Sequence, residues 1–458
     1  MMLNSFCSDC RAGSCSASYP GLTIYAVEVA CGHADIEPLA ATTVNNSVRV
    51  QKTARPRQES FTAKDSVEYI WKHLRLPAES LEALDLKGSG PDLPSSFKIA
   101  DLAQASIGLS TLLAAQIYAL RTASPVPAVT VPRQHAVIEF KSERLYTLAG
   151  QPAQNLWGPL SGLHPTSDGL VRVHDGFPNH SNGAKTLLRC PPSADRPTVS
   201  AAIAPWRSVD LETAAFDAGC VISALRSYAQ WDVTPQARAV ADLPILLRRI
   251  GDAPAGLPQS MRSAPTDKCL RGLRVLELSR VIATPLSGKT LAAHGADVLW
   301  VTSPNLPDLP PIDREFGRGK RTIQIDLDSA EGEAELWRLL DDAHVFVQGF
   351  RPGALAARGF SPETLAARAA TQGRGIICAN LSAYGPDGPW RSRRGFDSLV
   401  QTCSGMNVSE AERFGAGEAG RAAPCQVLDH AAGYFLAAGV EAPGCDRRDS
   451  HEPKQMPQ

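Results

Sequence analysis

The chain has 458 residues, 43% of them hydrophobic and 20% charged, with a net charge of −1. That length suits two or three domains with real cores, and that balance excludes a wholly disordered chain and any general pull toward nucleic acid or anionic lipid. Eleven cysteines in so long a chain make no disulfide framework, no apolar run reaches bilayer-spanning length, and no secretory leader opens the sequence, so a reducing, cytoplasmic setting is expected, with mitochondrial or peroxisomal ones left open.

Residues 1–60 are rich in Ser, Thr, Asn and Ala without periodicity and read as a poorly structured leader. Cys7, Cys10 and Cys15 lie there, with Cys31 and His33 beyond, but no second pair stands at finger-like spacing, so no metal site is expected. Ser66 to Leu86 predicts a short amphipathic helix broken near Pro77, then another. From Ile99 to Arg121 almost no charge appears, which predicts a buried helix ended by Pro125 and Pro127. Val129 to Leu145 alternates like a strand, His164 to His174 reads as a turn at Asp168-Gly169 feeding a strand, and residues 208–230 read as helical. Pro235 to Ile250 closes this 61–250 region, and the Pro- and Gly-rich residues 251–268 read as a linker.

Beyond the linker, short strands alternate with helices. Strands are predicted at Leu273–Leu278, Asp297–Val301, Thr322–Leu327, His344–Gln348 and Gly375–Leu381, with helices at Pro285–His294, Ala330–Asp342 and 362–370. This argues for a Rossmann-like α/β domain with a mostly parallel sheet, whose ligand would lie in the loops past the strands' carboxyl ends. Four such loops concentrate chemistry: Arg280–Pro285, Arg318-Gly-Lys320-Arg321, Gln348-Gly-Phe350-Arg351-Pro-Gly353 and Ser382–Asp397. Their cations and rings suit a polyphosphate that carries a heterocycle. No GxGxxG is present, so this is no dinucleotide fingerprint. Last comes Pro424-Cys-Gln-Val-Leu-Asp429-His-Ala-Ala-Gly433, where one acid opens a helix of small and apolar residues. Such an acid is ordinarily an N-cap, and the other reading is a nucleophile.

The order GKR-T-x-x-LDL, V-x-x-FRPG, LSAYG-x-x-GPW-x-x-RRGFD and the aspartate-bearing helix start resembles the family III CoA-transferases (CaiB/BaiF-like, including formyl-CoA transferase and alpha-methylacyl-CoA racemase), from about Leu270 to Val440. The resemblance implies a large domain over 269–440, a smaller α+β domain, and Asp429 as the nucleophile that forms an aspartyl anhydride and then an aspartyl-CoA thioester. It further implies that Lys320, Arg321 and Arg351 meet CoA phosphates, that Phe350 and Tyr384 flank adenine or pantetheine, that Ser382 and Gly385 line the loop, and that Gly433 admits substrate. CoA and acyl-CoA would be substrates, with no permanently bound cofactor, and the protein a possible homodimer without nucleic-acid or membrane partners. This sequence has Gly349 and Ala357 where members often carry Asn and Arg.

Residues 60–250 resemble the late half of the same family, with Asp101-Leu-Ala-Gln-Ala105 paralleling Asp429 to Gly433 as a degenerate counterpart. Residues 441–458 are polar and aperiodic and read as a disordered tail, and the family's glycine-rich lid is not visible. Two alternatives stay open: acyl-CoA epimerase chemistry, which His430 would serve, and a non-catalytic paralogue that binds CoA esters.

Overall fold

The computed structural model describes residues 25–30, 61–90, 93–154, 157–254 and 256–445. Cys7, Cys10, Cys15, Cys31 and His33 lie outside them, as does the tail beyond 445.

One seven-stranded sheet organises the molecule, running edge to edge through Arg321–Gln324, Asp297–Thr302, Arg274–Leu278, Val345–Gln348, Ile376–Leu381, Tyr25–Ala30 and Ile245–Gly251. The first five are mutually parallel. Tyr25–Ala30 joins antiparallel to Ile376–Leu381 and parallel to Ile245–Gly251. Within the parallel run the chain moves outward from Arg274–Leu278, then crosses back to Val345–Gln348. The order therefore reverses between those two strands, and a crevice opens past Leu278 and Gln348. The inner strands are apolar and buried, Val345, Phe346 and Val347 at 2% exposure or less, as strands covered on both faces must be.

Three helices made of small residues cover one face. Val427–Glu441 packs against both Ile99–Thr122 and Ala283–Ala293. The 24-residue helix Ile99–Thr122 is long and apolar enough to cross a bilayer by length and composition, but most of it is buried inside the protein. A smaller unit carries its own core, with strands Gly162–Pro165, Leu170–Val173 and Ile222–Ala224 forming an antiparallel sheet covered by helices.

Several expectations change. The leader contains a sheet strand, Tyr25–Ala30. Val129–Leu145 is a two-residue strand and then two helices, Arg133–Glu139 and Ser142–Leu145, with Pro132 in an extended conformation at the cap of the first. Residues 208–230 split into helix Ser208–Asp217, strand Ile222–Ala224 and the start of helix Tyr228–Asp232. The linker is tied down, since it carries helix Gln259–Ser263 and the Arg121 guanidinium donates to the carbonyls of Met261, Pro265, Lys268 and Cys269. The strand Ile245–Gly251, where the 61–250 region ends, lies in the main sheet. Past Glu441 a 3-10 turn, Ala442–Cys445, continues the packing with Cys445 buried.

Candidate functional site

The helix that begins at Val427 is capped from another element. One oxygen of Asp397 accepts the backbone N–H groups of Leu428 and Asp429, at 2.7 and 3.0 Å, and Gln401 donates to the other oxygen. The free donors of the first turn are thus satisfied by Asp397, and Asp429 is no N-cap. Its half-buried carboxylate faces a cavity of about 480 Å3 and has no hydrogen-bond or ion-pair partner among the described residues. Burial, then the neighbouring charges of Asp397 and Glu143, hold its pKa well above the ordinary carboxylate range. Asp397 is itself pushed up to about 6 by burial, against the opposing pull of the N–H groups it accepts.

Three stretches distant in sequence build the walls. Glu143, Arg144, Trp157, His174 and Phe177 come from the N-terminal region, Val281, Ile282, Leu309 and Ile312 from the loops past the first two parallel strands, and Phe396 and Gln426 from the Asp429 neighbourhood. Val281 has φ of 73°, a left-handed conformation that a β-branched residue rarely adopts, so the turn into helix Ala283–Ala293 is strained where it meets the cavity. His430 points the other way. It is fully buried between Phe140 and Phe316, and its Nε2 meets a Glu143 carboxylate oxygen at 2.9 Å.

Phe350, Arg351 and Ser382 share one hollow of about 170 Å3 at the ends of strands Val345–Gln348 and Ile376–Leu381. Arg351 is exposed there, spending one weak bond of 3.3 Å on the Ser392 carbonyl. A narrow hollow of about 50 Å3 lies between, sharing Phe350 with this one and Phe177, Val281 and Leu309 with the Asp429 cavity. Openings therefore follow one another from Asp429 to Arg351 along the crevice where the strand order reverses. At Gly349, between the lining residues Gln348 and Phe350, a Cβ would stand 2.5 Å from the Thr284 hydroxyl oxygen.

The remaining expected contacts lie elsewhere. Lys320 is buried, with its ammonium 2.8 Å from Glu277, 2.7 Å from the Pro285 carbonyl and 4.7 Å from the centre of the Trp300 ring. Taking it to a phosphate would leave Glu277 charged and alone, a cost of about 3–5 kcal/mol, so it serves the fold. Arg321 is exposed but forks onto Asp297 on an edge strand, outside these hollows. Tyr384 is buried against Trp390 and Phe216 and lines none of the three hollows, and Gly385 turns the chain at φ of 85° ahead of Pro386, which does. Gly433 faces a helix: a Cβ would stand 2.6 Å from the Ala283 carbonyl oxygen, so the glycine permits close packing and does not admit substrate. Asp101 is held in an ion pair with Arg133.

Asp397 and Phe396 close the RRGFD motif, which signals their positions and not their roles. Glu143, Trp157 and Phe177 had no local signal, because only tertiary folding brings them to Asp429.

Residues 270–453 match the family described as CoA-transferase family III. An acyl-CoA transferase of Gibberella moniliformis is 31% identical over 212 residues, covering 46% of this chain and 37% of that protein. The "Probable fatty acyl-CoA transferase Rv3272" of Mycobacterium tuberculosis is 33% identical over 199 residues, covering 41% and 48%. Succinyl-CoA–D-citramalate CoA-transferase of Chloroflexus aurantiacus is 34% identical over 163 residues, covering 32% and 39%. This chain thus spans less than half the length of each of these relatives. The stretch that matches CoA-transferase family III, residues 270–453, holds the reversed-order crevice, the Arg351 hollow and the aspartate-headed helix together.

Proposed function

We propose that this protein moves CoA between an acyl thioester and a carboxylic acid, with Asp429 as the nucleophile. The observation that carries the reading is the Asp429 carboxylate, which has no partner among the described residues and faces a cavity that leads through shared walls to an exposed arginine. Relatives named as acyl-CoA and succinyl-CoA transferases support the same reaction class.

In the ionised form, an Asp429 oxygen attacks the thioester carbonyl. The carbon–sulfur bond breaks, leaving a mixed aspartyl anhydride and CoA thiolate. The thiolate attacks the aspartyl carbonyl, releasing the first acid and forming an aspartyl-CoA thioester. The acceptor acid then attacks that thioester carbonyl, and return of the thiolate to the acceptor's acyl carbon regenerates Asp429. An unpaired carboxylate with a raised pKa suits these steps, because poor solvation keeps the anion reactive. Arg351 would meet CoA phosphate from its exposed loop, with Phe350 and Ser382 beside it. CoA esters are substrates here, no resident cofactor is invoked, and a homodimer is part of the proposal.

The epimerase reading gives the second acid–base role to His430. His430 is fully buried and bonded to Glu143, which counts against it. The test is mass spectrometry of the protein after incubation with an acyl-CoA donor. A hydroxylamine-sensitive CoA adduct on Asp429 is expected, absent in Asp429→Asn. No adduct with any of a broad set of donors would defeat the transferase reading.

A further inference from the structure

We infer that the acyl group taken beside Asp429 is uncharged and carries an aromatic ring, and is not a short dicarboxylate. The inference rests on the transferase reading above and names the substrate class for the same cavity.

Rings line the same cavity as the acid. His174 lies flat on Phe396 at 4.0 Å between centres and 8° between planes, and Trp157 meets His174 edge-on at 5.6 Å and 82°. Phe177 stands 6.1 Å from Phe396. Burial lowers His174 to about 3, so it adds no cation at neutral pH. A ring placed against such a wall gains offset or edge contacts that an alkyl chain does not. The space is sufficient: a cavity of roughly 150 Å3 can hold benzene, and this one measures about 480 Å3.

The charge pattern tells against a second carboxylate on the acyl group. Asp429 and Glu143 already face the cavity, and Glu143 is almost wholly buried with one oxygen lacking a hydrogen bond. Among the described residues, Arg144 is the single lysine or arginine on the lining. Its Nε lies 3.5 Å from that Glu143 oxygen, so much of its charge is offset. Arg280 stacks over Phe177 at 4.5 Å, donates to the Pro307 carbonyl and lines the neighbouring hollow instead. A dicarboxylate would bring a third negative charge with no free cation among the described lining residues to meet it.

Unreactive CoA thioethers separate this inference from the chemistry. Calorimetry with the full chain is expected to show S-(2-phenylethyl)-CoA binding about fivefold tighter than S-hexyl-CoA and about tenfold tighter than S-(3-carboxypropyl)-CoA. Trp157 is 37% exposed and Gln154 lies on the exposed rim, so both tolerate substitution. Trp157→Ala should erase the phenyl-over-hexyl preference, and Gln154→Arg should recover most of the carboxypropyl deficit. Equal affinity for all three, or a preference for the carboxypropyl compound, overturns the inference while leaving the transferase reading intact. Binding of none overturns both. Adduct formation at Asp429 without discrimination among phenylacetyl-, hexanoyl- and succinyl-CoA sinks the substrate class alone.

Discussion

Two helices in this protein begin alike and end differently. Ile99–Thr122 and Val427–Glu441 are both made of small, buried residues, both carry an acid in the first turn, and they pack against each other. Asp101 meets Arg133, supplied by the helix Arg133–Glu139, and becomes one half of an ion pair. Asp429 meets no cation among the described residues. It has Asp397 and Glu143 as neighbours and a cavity in front. The acid and its place on the helix are nearly the same, and the presence or absence of one arginine decides whether the carboxylate is structural or available for chemistry.

The sharpest way to break this contrast is paired substitution. Asp429→Asn should lower exchange of an acyl-CoA with its own isotope-labelled acid by about a thousandfold or more, whereas Asp101→Asn should leave it within about twofold. A comparable loss in both would mean that Asp101 also does chemistry. The fourth residue after each acid gives the next contrast. Gly433→Ala puts a methyl 2.6 Å from the Ala283 carbonyl oxygen, and denaturant unfolding should show a loss of about 1–3 kcal/mol. At the matching place Ala105→Gly should cost only about 1 kcal/mol.

Arg351→Gln should raise KM for CoA esters about fivefold with kcat nearly unchanged, as expected where binding is uniform through the reaction. Steady-state kinetics with one donor decides it. A finer effect concerns pH. Removing the Asp397 charge relieves Asp429 of one of the influences that raise its pKa, so the acid limb of the exchange rate in Asp397→Asn should move to lower pH. The stability profile carries its own sign. Asp397 titrates near 6 when folded, above its ordinary 3.8, so its contribution is full below 3.8 and is lost as pH rises through about 6. Denaturation midpoints of wild type and Asp397→Asn across pH 3–8 should therefore converge as pH rises, with the variant lacking that slope. The variant also starts lower, because Gln401 already spends its carbonyl on Asn407 and Ala423 and cannot turn to suit an amide.

Much of the alternating half was legible because each signal was local. Strands such as Val345–Gln348 are continuous apolar runs, and the helix before Gly295 has its proline and glycine at the expected ends. Asp429 stood out as a lone acid among alanines. Partners were not legible. Lys320 looked like a loop cation because Glu277 lies 43 positions earlier in another strand, and no spacing rule links them. Glu143 could not be connected with His430 across 287 positions, nor Phe177 with Phe396. Arg133–Glu139 was misread because its seven residues include Val137 and Ile138 in an alternating stretch, and position, not propensity, settled the matter.

The strand Tyr25–Ala30 lies between Ile245–Gly251 and Ile376–Leu381, with Tyr25 opposite Leu381. During synthesis from the N-terminus, that strand is made early and must wait for residue 381 before its second edge is paired. The Glu143 side of the cavity waits longer still, for His430. Pairings this distant in sequence make for slow folding and a long interval with an open strand edge. Tyr25–Ala30 is thus made long before its second edge is paired, and nascent chains of this protein should depend on holding chaperones until the Asp429 helix has left the ribosome.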